Sequence, residues 1–226
     1  MATEILESHQ IIDQFIEQHP VDSKLVLHDV SWDEYEALMD QLVDPAGLHI
    51  AYDDGTLQIM TTSAEHEKYG RFFEALMTVI RLRKRINIIS VGSATMRKRK
   101  KRKGNEPDSS FYVQSAALIG NRVDIDFEID PPPDIAVEID LHRDSISKFS
   151  IYAALGVGEV WRYDGEVLKI DLLEGADYIP ANQSRALPIL TSEILTDFLR
   201  RMREAGDFQA LLEFDEWIQA ACLIPD

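Results

Sequence analysis

The clearest pattern in the chain begins after three prolines, Pro131 to Pro133, where Ile135, Ala136, Val137 and Ile139 form an apolar run broken by Glu138 and ended by Asp140. Proline neither donates to a sheet ladder nor continues a helix, so the three launch an extended segment. A near-continuous apolar run predicts a strand over 134–140 that is covered on both faces. A carboxylate inside such a strand needs a partner. Beyond a polar joint the period becomes helical: Asp144 or Ser145 caps, Ile146, Phe149, Ala153 and Leu155 share a face, and Gly156 supplies a left-handed stop. Val160, Trp161 and Tyr163 then resume a strand. The right-handed crossover of a strand, helix, strand unit brings Lys148, in the first turn of that helix, toward the carboxyl end of the Glu138 strand. Open α/β sheets commonly place their chemistry there.

The remaining pattern supplies more elements. Residues 1–45 read as helices joined by a polar turn, with Ile11, Ile12, Phe15 and Ile16 on one face, Trp32, Tyr35, Leu38, Met39 and Leu42 on another, and Ser31 as a cap. Apolar runs on both sides of Asp54-Gly55, from Leu48 to Ile59, predict a hairpin that starts the sheet. Thr62 and Glu65 fit a capping box before an amphipathic helix carrying Tyr69, Phe72, Phe73, Leu76, Val79 and Ile80. In that helix His66 is either a capping or packing histidine or a site residue, Glu67 reads as a solvated acid, and Glu74 can face the sheet. Ile86 to Val91 is β-rich, and Pro107 opens an extended piece into Phe111, Tyr112 and Val113, with Asp108 at its entrance. The alternation from Asn121 to Asp130 predicts a strand with one wet face. Asp164-Gly165 predicts a second hairpin, and Thr191 to Ala221 two helices.

Charge changes this picture. The 226 residues carry a net charge of −17, from 40 acidic and 23 basic residues, which argues against a surface that grips nucleic acid everywhere. Seven of the basic residues are consecutive, Arg97, Lys98, Arg99, Lys100, Lys101, Arg102 and Lys103, leaving 16 basic against 40 acidic elsewhere. Such a run reads either as a solvated loop or as a flexible arm for nucleic-acid phosphates. No long apolar run or basic-then-apolar leader is present, so the expectation is a cytoplasmic protein with no membrane partner. Cys222 reads as an inert thiol in an apolar helix. The chain shows no internal repeat and no GxxxxGK[ST], GxSxG, HExxH or CxxC pattern.

The order of these segments resembles the Uma family of endonucleases, which has the restriction-endonuclease-like, PD-(D/E)XK fold. The matching residues are His66, Pro107 and Asp108, then Pro133, Asp134 and Glu138, then Lys148, Tyr152, Gly156, Val157, Glu159 and Trp161, within a likeness running from Leu48 to Leu199. The resemblance implies an α/β fold of mixed α+β type, a central mixed β-sheet flanked by helices. Length and an apolar content of 45% favour one domain over 1–226 rather than two small ones, made of a helical extension (1–45), a sheet core (46–175) and C-terminal helices (190–222). The superfamily's last motif is usually (D/E)-X-K on one strand, whereas this chain has Glu138-Ile139-Asp140. The family implies a lysine moved to the following helix, where Lys148 stands.

Phosphodiester hydrolysis needs a placed hydroxide and positive charge against the transition state, and Mg²⁺ with one or two carboxylates supplies both. The expectation is therefore a Mg²⁺-dependent (or Mn²⁺-dependent) DNA endonuclease. Asp108 and Glu138 would hold the metal, Asp140 or the Ile139 carbonyl would help, Lys148 would act on water or phosphate, and His66 would position phosphate or a metal-bound water. The fold's relatives imply a homodimer. Two other readings stand beside it: an inactive nucleic-acid-binding or mobile-element-associated module of the same fold, and an acidic interaction protein in which Glu138 and Lys148 are a plain buried pair.

Overall fold

Asp54-Gly55 turns the chain between β2 (Leu48–Asp53) and β3 (Thr56–Thr61), which pair from Leu48↔Thr61 to Asp53↔Thr56. The computed structural model describes Phe15 and residues 23–42, 48–141 and 148–221. The expectations for Ile11, Ile12, Ile16, Asp144, Ser145, Ile146 and Cys222 fall outside those residues. Contrary to expectation, the hairpin does not start the central sheet. It joins β1 (Lys24–Leu27), β5 (Met96–Lys98) and β6 (Lys103–Asn105) in a separate five-stranded sheet of order β1-β3-β2-β6-β5. Helix α1 (Trp32–Gln41), opened by the Ser31 cap with Glu34 completing the box, lays Trp32, Tyr35 and Leu38 on Tyr52, Leu57 and Ile59. Phe15 lies in the same core, and Tyr35 stacks on Tyr52 with ring centroids 4.7 Å apart. Strand β1 corrects the all-helical reading of 1–45. Pairing with β3 from Lys24↔Met60 to Leu27↔Leu57 satisfies its backbone.

The second sheet has six strands, β4 (Ile89–Ser90), β7 (Ser109–Tyr112), β8 (Ile135–Ile139), β9 (Glu159–Tyr163), β10 (Leu168–Glu174) and β11 (Asp177–Ala181), in the order β11-β10-β9-β8-β7-β4. Strands β8 and β9 run parallel, joined through α4 (Phe149–Leu155), and the other neighbours are antiparallel. This is the strand, helix, strand unit that the sequence predicts. The hairpin at Asp164-Gly165 is also as expected, β11 was not foreseen, and Ile86 to Val91 yields only the two residues of β4. Side chains alternate along the strands, so the two faces differ. Val137, Ile139, Trp161 and Tyr163 meet α2 (Ala64–Lys84), α5 (Ser192–Ala205) and α6 (Asp207–Ala221) in the largest core. Ala136 and Val160 meet Tyr152 and Leu155 of α4, together with Ala51 and Met96 of the first sheet. The fold class is the mixed α/β one expected, with a second sheet added. No helix among the described residues is long and apolar enough to cross a membrane.

Two segments differ from expectation for physical reasons. The basic run is no flexible arm: Arg97 and Lys98 end β5, Arg99–Lys101 make a 3-10 turn, Arg102 takes φ 51°, and Lys103 opens β6. Carboxylates distant in sequence offset its repulsion. Arg99 lies 2.9 Å from Asp33 and also pairs with Glu36, Arg102 is 3.1 Å from Asp54, Lys103 pairs with Asp53, and Arg97 is 3.9 Å from Asp40. The second segment follows a single turn, α3 (Ala116–Ile119), and is a loop where Asn121 to Asp130 predicted a strand. The Asp130 carboxylate accepts from Asp126 N at 2.9 Å and from Arg122 at 2.5 Å, while Asp130 N donates to Asp126 O. These local bonds replace ladder pairing and leave Val123 and Ile129 exposed.

Candidate active site

Strands β7 and β8 pair with Ser109 opposite Val137, and Asp108, the residue just before β7, lies beside the Glu138 segment of β8. Asp108 N donates to Val137 O at 3.0 Å, and its Oδ2 accepts from Ile139 N at 2.5 Å. Pro107 and the strand entrance therefore fix both the backbone and the carboxylate. His66, in the first turn of α2, brings Nε2 to 3.2 Å from Oδ2. Its backbone is tied to Ser63, the actual cap of α2, while Thr62 bonds Glu67 instead. On the other side His49 of β2 brings Nδ1 to 3.1 Å from Oδ1, so the Asp108 carboxylate lies between two imidazoles.

Glu138 is held by a different set. Lys148 Nζ lies 2.8 Å from Oε2, the Tyr152 hydroxyl donates to Oε1, and Asn105 Nδ2 is 3.3 Å from Oε1 and 2.6 Å from the Tyr152 oxygen. Lys148 is the N-cap residue of α4 and not part of its first turn, yet its side chain runs back to β8 as expected. Glu138 and Lys148 are 3% and 4% exposed, so neither charge is tolerable without the other. Asn105 Oδ1, also buried, has no hydrogen-bond partner among the described residues. Asp140 lies 3.8 Å from Arg162 Nη1, and Arg162 reaches Asp171 at 3.1 Å and stacks over Phe149.

The electrostatics follow from burial opposed by paired charge. Burial pushes the Asp108 carboxyl up, but the charges of His49 and His66, the hydrogen bond from His66 and the more distant Lys148 outweigh it and hold the group at about 2. Burial pulls His66 down, and Asp108, aided by Glu67 and Glu138, raises it above its ordinary value. Lys148 is likewise pulled down by burial and carried above its ordinary range by Glu138, Asp108 and Asp140. Burial and Glu138 push the Tyr152 hydroxyl well above a free phenol. Asp108 and His66 open onto a cleft of about 350 Å³ whose wall includes Arg71 and Glu74 of α2 and Ser93 of the facing turn. Glu74 faces the sheet, as its position allowed, and accepts from Ser109 Oγ.

Of the expected residues, Asp108, Glu138, Lys148 and His66 converge, Asp140 faces Arg162 and adds its charge to the field at Lys148, and the basic run belongs to the first sheet. Sequence reasoning missed His49 and Asn105. The one available signal was a polar residue at an inward position of each strand, His49 in LHIAYD and Asn105 in KGN. The units α2, β4, β7, β8, α4 and β9 make the core restriction-endonuclease-like, a helix and three antiparallel strands followed by a helix and a parallel strand. The chain belongs to the Uma2 family, described as "Putative restriction endonuclease", whose model matches residues 32–202. Among solved structures it is similar to a "putative nuclease belonging to DUF820" from Anabaena variabilis, at 15% identity over 75% of this chain and 99% of that one, with a TM-score of 0.49. No curated protein matches it.

Proposed function

We infer that the chain is a metal-dependent endonuclease that hydrolyses phosphodiester bonds in DNA. The observation that carries this reading is that Asp108 is bonded to the β8 backbone on both sides of Glu138, at Val137 O and Ile139 N, with Lys148 2.8 Å from the Glu138 carboxylate. The donors fit a hard, largely hydrated cation: two carboxylates and the unpartnered carbonyl oxygen of Asn105. An all-oxygen donor set suits Mg²⁺ or Mn²⁺ with waters better than zinc, which favours nitrogen and sulfur ligands. Bound there, Mg²⁺ would supply an activated water and a counter-charge for the phosphate.

The chain's own groups divide the remaining work. His49 and His66 flank Asp108 and fix its orientation, His66 through a hydrogen bond and His49 as a neighbouring charge. Tyr152 and Asn105 do the same for Glu138, and the Lys148 ammonium orients the attacking water and offsets phosphate charge. Asp140 is given no metal contact, since its carboxylate faces Arg162. The basic hairpin, β5 through β6, contacts the DNA backbone outside the cleft. One observation favours a module of the same fold that binds nucleic acid without cutting it: Asp140 occupies the usual motif lysine position and is paired.

Supercoiled plasmid incubated with wild type and Glu138→Ala, in Mg²⁺, Mn²⁺ and EDTA, separates the two. Metal-dependent nicking that disappears in the variant supports the nuclease. Equal binding by both proteins with no nicking by either supports the module.

A further inference from the structure

Arg71 lies on the wall of the cleft that opens on Asp108 and His66. Glu67 precedes it by four residues and Glu74 follows it by three, the spacings at which helical ion pairs form. Neither pair is made. Glu67 accepts from Thr62 Oγ1 at 3.3 Å and lies 3.9 Å from His49 Nε2, and Glu74 turns inward to Ser109. Arg71 is exposed and, among the described residues, has no ion pair or hydrogen bond. Its treatment differs from that of most arginines here. Arg83, Arg99, Arg102, Arg122, Arg185 and Arg200 each meet a carboxylate at 3.1 Å or less, as 40 acids among 226 residues make easy.

The cleft itself is acidic, with Glu67, Glu74 and Asp108 in its wall, so a polyanion entering it needs a local cation. A guanidinium fork matches the two free oxygens of a phosphodiester. At about 350 Å³ the cleft suits a phosphate and part of its nucleoside, not a duplex.

We propose that Arg71 is a substrate-binding residue, holding a backbone phosphate of one nucleic-acid strand at the mouth of the cleft above Asp108. This rests on the nuclease reading and adds to it the group that seats the strand. Glu67 and Glu74 leave the guanidinium unpaired, so no internal ion pair must break when a phosphate arrives.

The test compares wild type with Arg71→Ala, Arg71→Lys and, as a control, Arg81→Ala, which removes an exposed arginine from the same helix outside the cleft. The probe is a fluorescein-labelled 12-nucleotide single-stranded DNA, titrated by anisotropy in EDTA over a range of NaCl, with KM and kcat for its cleavage measured separately in Mg²⁺. Arg71→Ala should weaken binding roughly tenfold and flatten the plot of log affinity against log salt by about one phosphate contact. The loss should fall on KM more than on kcat. Arg71→Lys should recover the salt slope and only part of the affinity, and Arg81→Ala should match wild type.

An unchanged affinity and slope in Arg71→Ala, or an equal loss in Arg81→Ala, would overturn the proposal. Cleavage by wild type alongside that result leaves the nuclease reading standing. If wild type neither binds nor cleaves the probe, this proposal falls, and the nuclease reading is judged separately by the plasmid experiment.

Discussion

The two faces of the six-stranded sheet solve the same covering problem with different chemistry. Toward α2, α5 and α6, strands β8 and β9 present Val137, Ile139, Trp161 and Tyr163 to a broad apolar core. Toward α4 and the first sheet, the intervening positions of the same strands carry Glu138, Asp140 and Arg162. Dispersion and area hold the first face, so its stability is spread over many contacts. The second combines a smaller apolar cluster around Ala136 and Val160 with paired charges, each of which depends on a few named partners. Even Glu159, the buried acid that β9 turns to the apolar face, is held by neutral donors, Trp161 Nε1 at 3.0 Å and Ala186 N at 2.5 Å. Burying a carboxylate does not by itself make a site; a cation placed behind it opens that possibility.

The largest expected effect is on the charged face. Glu138→Ala should abolish cleavage and cost about 3–5 kcal/mol in urea unfolding, because Lys148 is left buried without a counter-charge. Adding Lys148→Met should restore most of that stability and none of the activity, a result an apolar contact could not mimic. On the other face Trp161→Ala should cost a similar 3–5 kcal/mol or so, and no second substitution of a charge should repair it. His49→Ala comes next: a loss of roughly 10–100-fold in cleavage rate, as when a group that orients a ligand is removed, with much less effect on unfolding. Asp140→Asn should leave cleavage near the wild-type rate, and a complete loss would move Asp140 back among the metal ligands.

The smallest effect lies at the sheet's rim. Burial raises the Asp164 carboxyl, and the N–H groups of Val167 and Glu166 with Lys169 outweigh that and lower it below its ordinary value. Its contribution is therefore present above the ordinary carboxylate range and lost as pH falls through the folded value. Asp164→Asn should make the acid limb of a pH-stability curve shallower while leaving cleavage at neutral pH unchanged.

Much of this was legible in the chain because the signals were local. The proline-launched strand around Glu138, the two Asp-Gly hairpins and the helix before Gly156 each lie within a few residues of the feature that specifies them. His49 and Asn105 were not legible, since they reach the site from another sheet by the pairing of β2 with β6, Ala51 opposite Asn105. The basic run misled because the acids that order it, Asp33, Asp53 and Asp54, lie tens of residues away. Asn121 to Asp130 misled for the opposite reason: carboxylates that alternate like a wet strand face spend themselves on their own backbone.

The short strand β6 has a consequence for how such chains diversify. Its first residue, Lys103, belongs to the basic turn and its last, Asn105, to the group around Glu138, about 7 Å along the strand. Asn105 is clamped from both sides, by Met96 on β5 and Ala51 on β2. Descendants can therefore lengthen, shorten or recharge the turn between Lys98 and Lys103 while Asn105 stays in place. The turn proposed to contact DNA is free to drift in evolution, while the place of the proposed chemistry is inherited unchanged.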